Sequence, residues 1–129
     1  MRVLVDTHLL LWAAAGSRRL PKQARLLLED PRNEVHYSAA SLWEIAVKLA
    51  LRRSDFKVDL ARLRPALSAM GFSELPVTGV HAQRLATLPP VHKDPFDRML
   101  VAQGLSEPLV LLTNDAVLGG YGEVVRVVS

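Results

Sequence analysis

Short runs rich in valine and leucine alternate along this chain with segments of helical length, and that alternation restricts the folds open to it more than any other feature. Arg2-Val3-Leu4-Val5-Asp6 is an apolar run ending in an acid, as expected of a buried parallel strand whose carboxyl end opens on a loop. Glu34 to Ser38, Leu109 to Thr113 and Val124 to Val128 read as further strands, and Glu74-Leu75-Pro76-Val77 as a short strand ending. Leu9 to Ala15 reads as a helix stopped at Gly16-Ser17, and Pro21 starts a second helix that ends before Pro31. Ala39 to Leu51 forms a third, with Leu42, Ile45, Ala46 and Leu49 on one side and Ser38 or Ser41 available as its cap. Leu60 to Met70 is closed by Gly71, Val80 to Leu88 stops at Pro89-Pro90, and a last helix runs from Asp94-Pro95 to about Leu105. The pattern predicts an α/β fold: a central, mostly parallel sheet joined by right-handed crossovers, with helices on both faces. At 129 residues the chain is expected to form a single domain, residues 1–129.

Half of the residues are hydrophobic but only 5% are aromatic, so the core has to be built from Leu, Val and Ala. The absence of cysteine excludes a disulfide scaffold, a Cys-ligated zinc site and a thiol nucleophile. Asp6 comes too early for a signal-peptide core, and no later apolar run approaches ~20 residues, so a soluble cytoplasmic protein with no membrane span is expected. The net charge of +3 mildly favours a polyanionic partner. The cations gather at Arg18, Arg19, Lys22 and Arg25, at Arg52, Arg53 and Lys57, and at Arg62 and Arg64, and each cluster reads equally as a solvated helix face or a phosphate contact.

Four carboxylates stand where the predicted fold concentrates chemistry, and each has an ordinary structural role as well. Asp6 closes the first strand and is placed to cap the helix that follows. Glu44 lies at the rim of a buried helix face, or forms a plain i,i+4 pair with Lys48. In Asp94-Pro95-Phe96-Asp97, Asp94 is the cap, Pro95 the first helical residue and Asp97 a first-turn acid facing the positive end of the dipole. Asp115 belongs to the turn Thr113-Asn114-Asp115, which favours Asn and Asp on its own account. Yet Asp6 and Asp115 close two strands and Asp97 opens a helix, so the acids converge above the carboxyl edge of the sheet, where open α/β sheets bind ligands. Unit charges ~4 Å apart repel by about 4 kcal/mol at an effective dielectric of 20, so gathered carboxylates call for a hard divalent cation among them.

At this point the sequence resembles the PIN-domain family, and in particular the VapC toxins of bacterial toxin–antitoxin pairs. The resemblance is carried by Val3-Leu4-Val5-Asp6-Thr7-His8, by Ser38 to Lys48 around Trp43-Glu44, by His92-Lys93-Asp94-Pro95-Phe96-Asp97-Arg98 and its continuation to Gln103, and by Leu111-Leu112-Thr113-Asn114-Asp115. The pieces occur in the family's order and span nearly the whole chain. The resemblance implies a metal-dependent endoribonuclease whose four acids, Asp6, Glu44, Asp97 and Asp115, hold Mg²⁺ or Mn²⁺, with Thr7 and Asn114 supporting them and Asp94 assisting beside its capping role. It also implies a small antitoxin partner covering the groove that leads to the acids, and a homodimer. Leu9, Leu10 and Trp12, expected to be exposed on the early helices, would supply either interface.

The implied chemistry is hydrolysis of an RNA phosphodiester to 5′-phosphate and 3′-hydroxyl ends, with water activated by the divalent ions. Two other classes remain open: a phosphoaspartate enzyme, although His8 stands where Asp-x-Asp needs its second acid, and an inert module that only binds a partner protein. His8, His36, His81 and His92 show no ligand spacing, and no serine sits in a recognisable nucleophile elbow, so a histidine or serine mechanism is not expected. Trp12 and Trp43 lie on apolar helix stretches and read as core or interface residues, since base-stacking platforms need exposure.

Overall fold

A computed structural model of the chain describes residues 1–51 and 57–129. Five parallel strands form one sheet in the order β3-β2-β1-β4-β5, where β1 is Arg2–Val5, β2 Glu34–Ser38, β3 Ser73–Leu75, β4 Val110–Thr113 and β5 Val125–Val127. Val5 lies at the centre of this register, opposite Tyr37 on one side and Leu112 on the other. The third strand lies slightly earlier than the sequence suggests, because Pro76 has no N–H to give to a ladder.

Side chains of β1 alternate between two cores, as the period of a strand requires. Val3 and Val5 meet Leu9 and Leu10 of α1 (Thr7–Ala15), Ala24 and Leu28 of α2 (Lys22–Glu29), Ile45 of α3 (Ala39–Ala50) and Leu67 of α4 (Leu60–Ala69). Leu4 faces the other way, onto Leu100 and Val101 of α6 (Pro95–Ser106) and Leu118 of the 3₁₀ helix Ala116–Tyr121. Helices therefore cover both faces of the sheet. The helix α5 (Gly79–Leu85) packs on α6, and buried His81 ties the two together: its Nδ1 accepts from the Thr78 N–H while its Nε2 meets Glu107.

One expectation fails here. Leu9 and Leu10 are fully buried and Trp12 is half-buried against the same core, so they form no exposed interface patch. The helix α1 is apolar on nearly every side, and a short helix of that kind belongs inside: it contacts β4, α3 and α4.

The basic clusters divide. Arg18, Arg19 and Lys22 are exposed, whereas Arg62 and Arg64 pair with Asp59 and Glu74 and so follow the solvated-face reading. Arg52 and Arg53 lie outside the described residues. Among the described residues no helix is long and apolar enough to cross a membrane.

The strand order places β2 on one side of β1 and β4 on the other. The crevice above the carboxyl ends of β1 and β4 is thus the topological switch point of the sheet.

Candidate active site

Asp6 follows directly on β1 and caps α1 from the edge of the crevice. Its Oδ1 accepts the Leu9 N–H at 2.9 Å, which caps α1, and its Oδ2 accepts a short hydrogen bond from the Thr113 hydroxyl at the end of β4. The side chain is buried, and burial above all, with nearby Glu44, raises its proton affinity against the lowering effect of the Thr113 and Leu9 hydrogen bonds.

Glu44 realises both of its readings at once. The helix α3 buries it, and Lys48 one turn on donates to its Oε2 at 2.7 Å. Its Oε1 accepts from Thr7 Oγ1 at 2.8 Å, and that hydroxyl lies 2.9 Å from Ser41 Oγ. Thr7 therefore links the carboxylate to the start of α1, whereas Asn114 is exposed.

Asp94 caps α6 by accepting from the Phe96 N–H at 2.8 Å and the Asp97 N–H at 3.0 Å. Asp97, in the first turn, faces the other acids. Burial first, then the charges of Asp94, Glu44 and Asp6, push its carboxyl up to about 7, with His92 acting in the opposite direction. Asp115 caps the 3₁₀ helix through the Val117 N–H at 3.0 Å, and its own N–H donates to Thr113 Oγ1 at 3.0 Å. The Thr113 hydroxyl thus stands between Asp6, to which it donates, and Asp115, from which it accepts.

His92 enters the site although its spacing gives no sign of it. Its Nε2 lies 3.2 Å from Asp115 Oδ2 and 3.6 Å from Asp97 Oδ2, and ligand atoms of the three residues all fall within 4.8 Å of one another. Its Nδ1 accepts the Asp94 N–H at 3.0 Å, so the ring proton of the neutral imidazole sits on Nε2 and points at the two carboxylates. In this arrangement His92 is a donor to the acids rather than a lone-pair ligand. Arg98 and Tyr121 hold its loop: Arg98 Nη1 donates to the carbonyl of Pro89 at 3.0 Å and to Tyr121 Oη at 3.0 Å, and Tyr121 Oη accepts the His92 N–H at 3.2 Å.

All four acids singled out in the sequence lie at this crevice. Asp6, Glu44 and Asp97 act on one another through their charges, and Asp115 joins them through Thr113 and His92. A model of the PIN domain matches residues 3–123, which takes in every one of these residues. The chain belongs to the PIN-domain family. Solved structures with this PIN fold include VapBC2 from Rickettsia felis bound to a DNA fragment from its promoter, at 12% identity, TM-score 0.70 and full coverage of both chains. A toxin–antitoxin complex from Klebsiella pneumoniae is 23% identical with TM-score 0.64, covering 96% of this chain and 95% of that one. A domain of a functionally unknown protein from Methanocaldococcus jannaschii is 14% identical with TM-score 0.61, covering 99% and 91%. The comparison with curated proteins gives no significant match.

The donor set of this PIN domain suits a hard divalent cation. It offers carboxylate oxygens, two of them on acids whose proton affinity is raised by burial and mutual repulsion, which is the condition a cation relieves. No thiolate is available and His92 turns a proton toward the acids, so softer metals have less to bind here.

Proposed function

We propose that this PIN domain is a VapC-type toxin: an Mg²⁺- or Mn²⁺-dependent endoribonuclease of the cytoplasm, acting as a homodimer and held inactive by a small antitoxin. The observation that carries the reading is the convergence of Asp6, Glu44, Asp97 and Asp115 at the switch point, with Asp97 pushed up to about 7 by burial and by its acidic neighbours. The toxin–antitoxin complexes among the structural neighbours support the partner, and the motif resemblance supports RNA as substrate.

A divalent cation held by the four acids would supply Lewis-acid activation of water and offset charge gathering on the phosphate. The chain's own residues do the rest. Asp6 and Glu44 are held rigid by Thr113, Thr7 and Lys48, so the oxygens are placed before substrate arrives. His92 presents its Nε2–H at Asp97 and Asp115, giving the acids a donor at the mouth of the site.

Sequencing RNA 5′ ends after brief induction in a bacterial host tests this function. New 5′-phosphate ends at discrete positions are expected from the wild type and absent from Asp6→Asn at equal protein level. Identical end profiles for the two proteins would reject the nuclease assignment.

A further inference from the structure

We propose that Trp43 and Phe96 form a stacking subsite for one unpaired nucleobase of the strand whose phosphate lies at the carboxylates. The subsite rests on the nuclease reading above and extends it to substrate positioning. The sequence alone places Trp43 in the core or an interface for want of exposure, but 64% of it is exposed. Its indole meets Phe96 edge-on, with ring centroids 5.0 Å apart and planes at 73°. The two rings border an apolar pocket of about 380 Å³ that Ala40, Val77, Leu85 and Met99 help to line and that no charged side chain lines.

Position ties this pocket to the acids. Trp43 precedes Glu44 on α3 and Phe96 precedes Asp97 on α6, and successive helical residues point about 100° apart. The packed pair α3 and α6 therefore carries acids and aromatic rings one residue step from each other. A nucleotide has the matching division: a flat, uncharged base joined to an anionic phosphate. The phosphate belongs with the cation that the acids suit, and the base with the uncharged ring surface beside it. The lining comes from the first five residues of α3 and of α6 with single residues before and at the end of α5, which makes one seat rather than the row of anchors that a docking helix uses. Unpaired RNA bases are commonly bound on aromatic side chains in this way.

The test uses the full chain carrying Trp12→Phe, so that Trp43 is the remaining indole, mixed rapidly in Mg²⁺ with decamers of adenosine and of uridine and read before turnover. Quenching of Trp43 fluorescence is expected. Trp43→Ala should raise KM about ten- to a hundredfold, the range for losing one stacked base, with a much smaller change in kcat. Trp43→Phe should recover most of the loss, and melting curves should stay unchanged because the side chain is largely exposed. If the wild type cleaves RNA while showing no quenching, and Trp43→Ala keeps its KM, the subsite is wrong and the nuclease stands. If Trp43→Ala cleaves normally but is no longer inhibited by a co-produced antitoxin, the pocket is a protein-docking surface and the proposal falls. If the wild type binds neither decamer and also leaves cellular RNA 5′ ends identical to those of Asp6→Asn, the nuclease reading falls and the subsite with it; if it cuts cellular RNA but shows no quenching with either decamer, the subsite alone falls.

Discussion

Asp97→Asn should lower RNA cleavage by about a hundred- to a thousandfold and abolish growth arrest on overproduction, while leaving the metal-free protein as stable as the wild type or more so near pH 8. The loss is of the size seen when one preorganised electrostatic group is removed from an active site. The stability claim follows from the carboxyl of Asp97, which moves from its ordinary 3.8 to about 7 on folding. Because the folded state holds that proton more tightly, the associated stability is complete below about pH 3.8 and is lost as pH rises through about 7. The amount is on the order of 2–4 kcal/mol, since a tenfold change in proton affinity corresponds to about 1.4 kcal/mol and partial exposure screens the effect. Asp6, whose proton affinity is raised in the same direction, adds to the loss. Asp30 and Glu34, held below the ordinary carboxylate range by their arginine partners, release their contribution only as pH falls through that range, so they do not oppose it near neutrality. Melting curves in EDTA should therefore show the wild type losing several degrees between pH 5.5 and 8, and Asp97→Asn should flatten that slope. The helix-dipole interaction given up by the Asn is worth only about 0.3–1 kcal/mol. Full growth arrest from folded Asp97→Asn, or an unchanged pH slope, would remove Asp97 from the site.

Leu10→Ala should destabilise the protein by about 2–5 kcal/mol and lower Tm by roughly 10 °C, without a selective effect on subunit association. Leu10 is fully buried in the core cluster to which β1, α2, α3 and α4 also contribute, so its truncation leaves a cavity that the packed layer closes only in part. An interface residue would behave differently, leaving the monomer's stability intact and shifting the dimer equilibrium. Chemical denaturation at two protein concentrations separates the cases. A Leu10→Ala variant as stable as wild type would mean that the side chain is not core.

The fold was legible because it rests on two simple periods. Strand runs such as Val3 to Val5 and Leu111 to Thr113 ended in polar residues, and helices carried local stop and start signals such as Gly16 and Asp94-Pro95. Asp6, Asp97 and Asp115 were legible because topology carries strand ends and helix starts to one edge of a parallel sheet, whereas Glu44, in the middle of α3, was singled out only by the resemblance to the PIN-domain family. What escaped was long-range packing. Nothing in Leu9-Leu10-Leu11-Trp12 says that all sides of so short a helix will be covered, and covering depends on α3 and α4 arriving from later in the chain. His92 escaped because its place beside Asp115, 23 residues on, is set by a loop anchored by Arg98 and Tyr121 rather than by any spacing. Thr113 escaped for a related reason: a buried threonine ending a strand looks like ordinary β-propensity until its hydroxyl is found between Asp6 and Asp115. The exposure of Trp43 was equally invisible, since α3 has apolar residues on both its buried and its open face.

The carboxylate cluster as a cation-dependent RNA-cleaving centre is tested most directly with purified protein and a single-stranded RNA. The RNA would be incubated in EDTA and then with Mg²⁺ or Mn²⁺ restored, and the termini mapped. Fragments bearing 5′-phosphate and 3′-hydroxyl ends should appear only after the cation is restored, and not with Asp97→Asn. Cleavage that persists in EDTA, or intact RNA after incubation of the folded wild type with either cation, would contradict it.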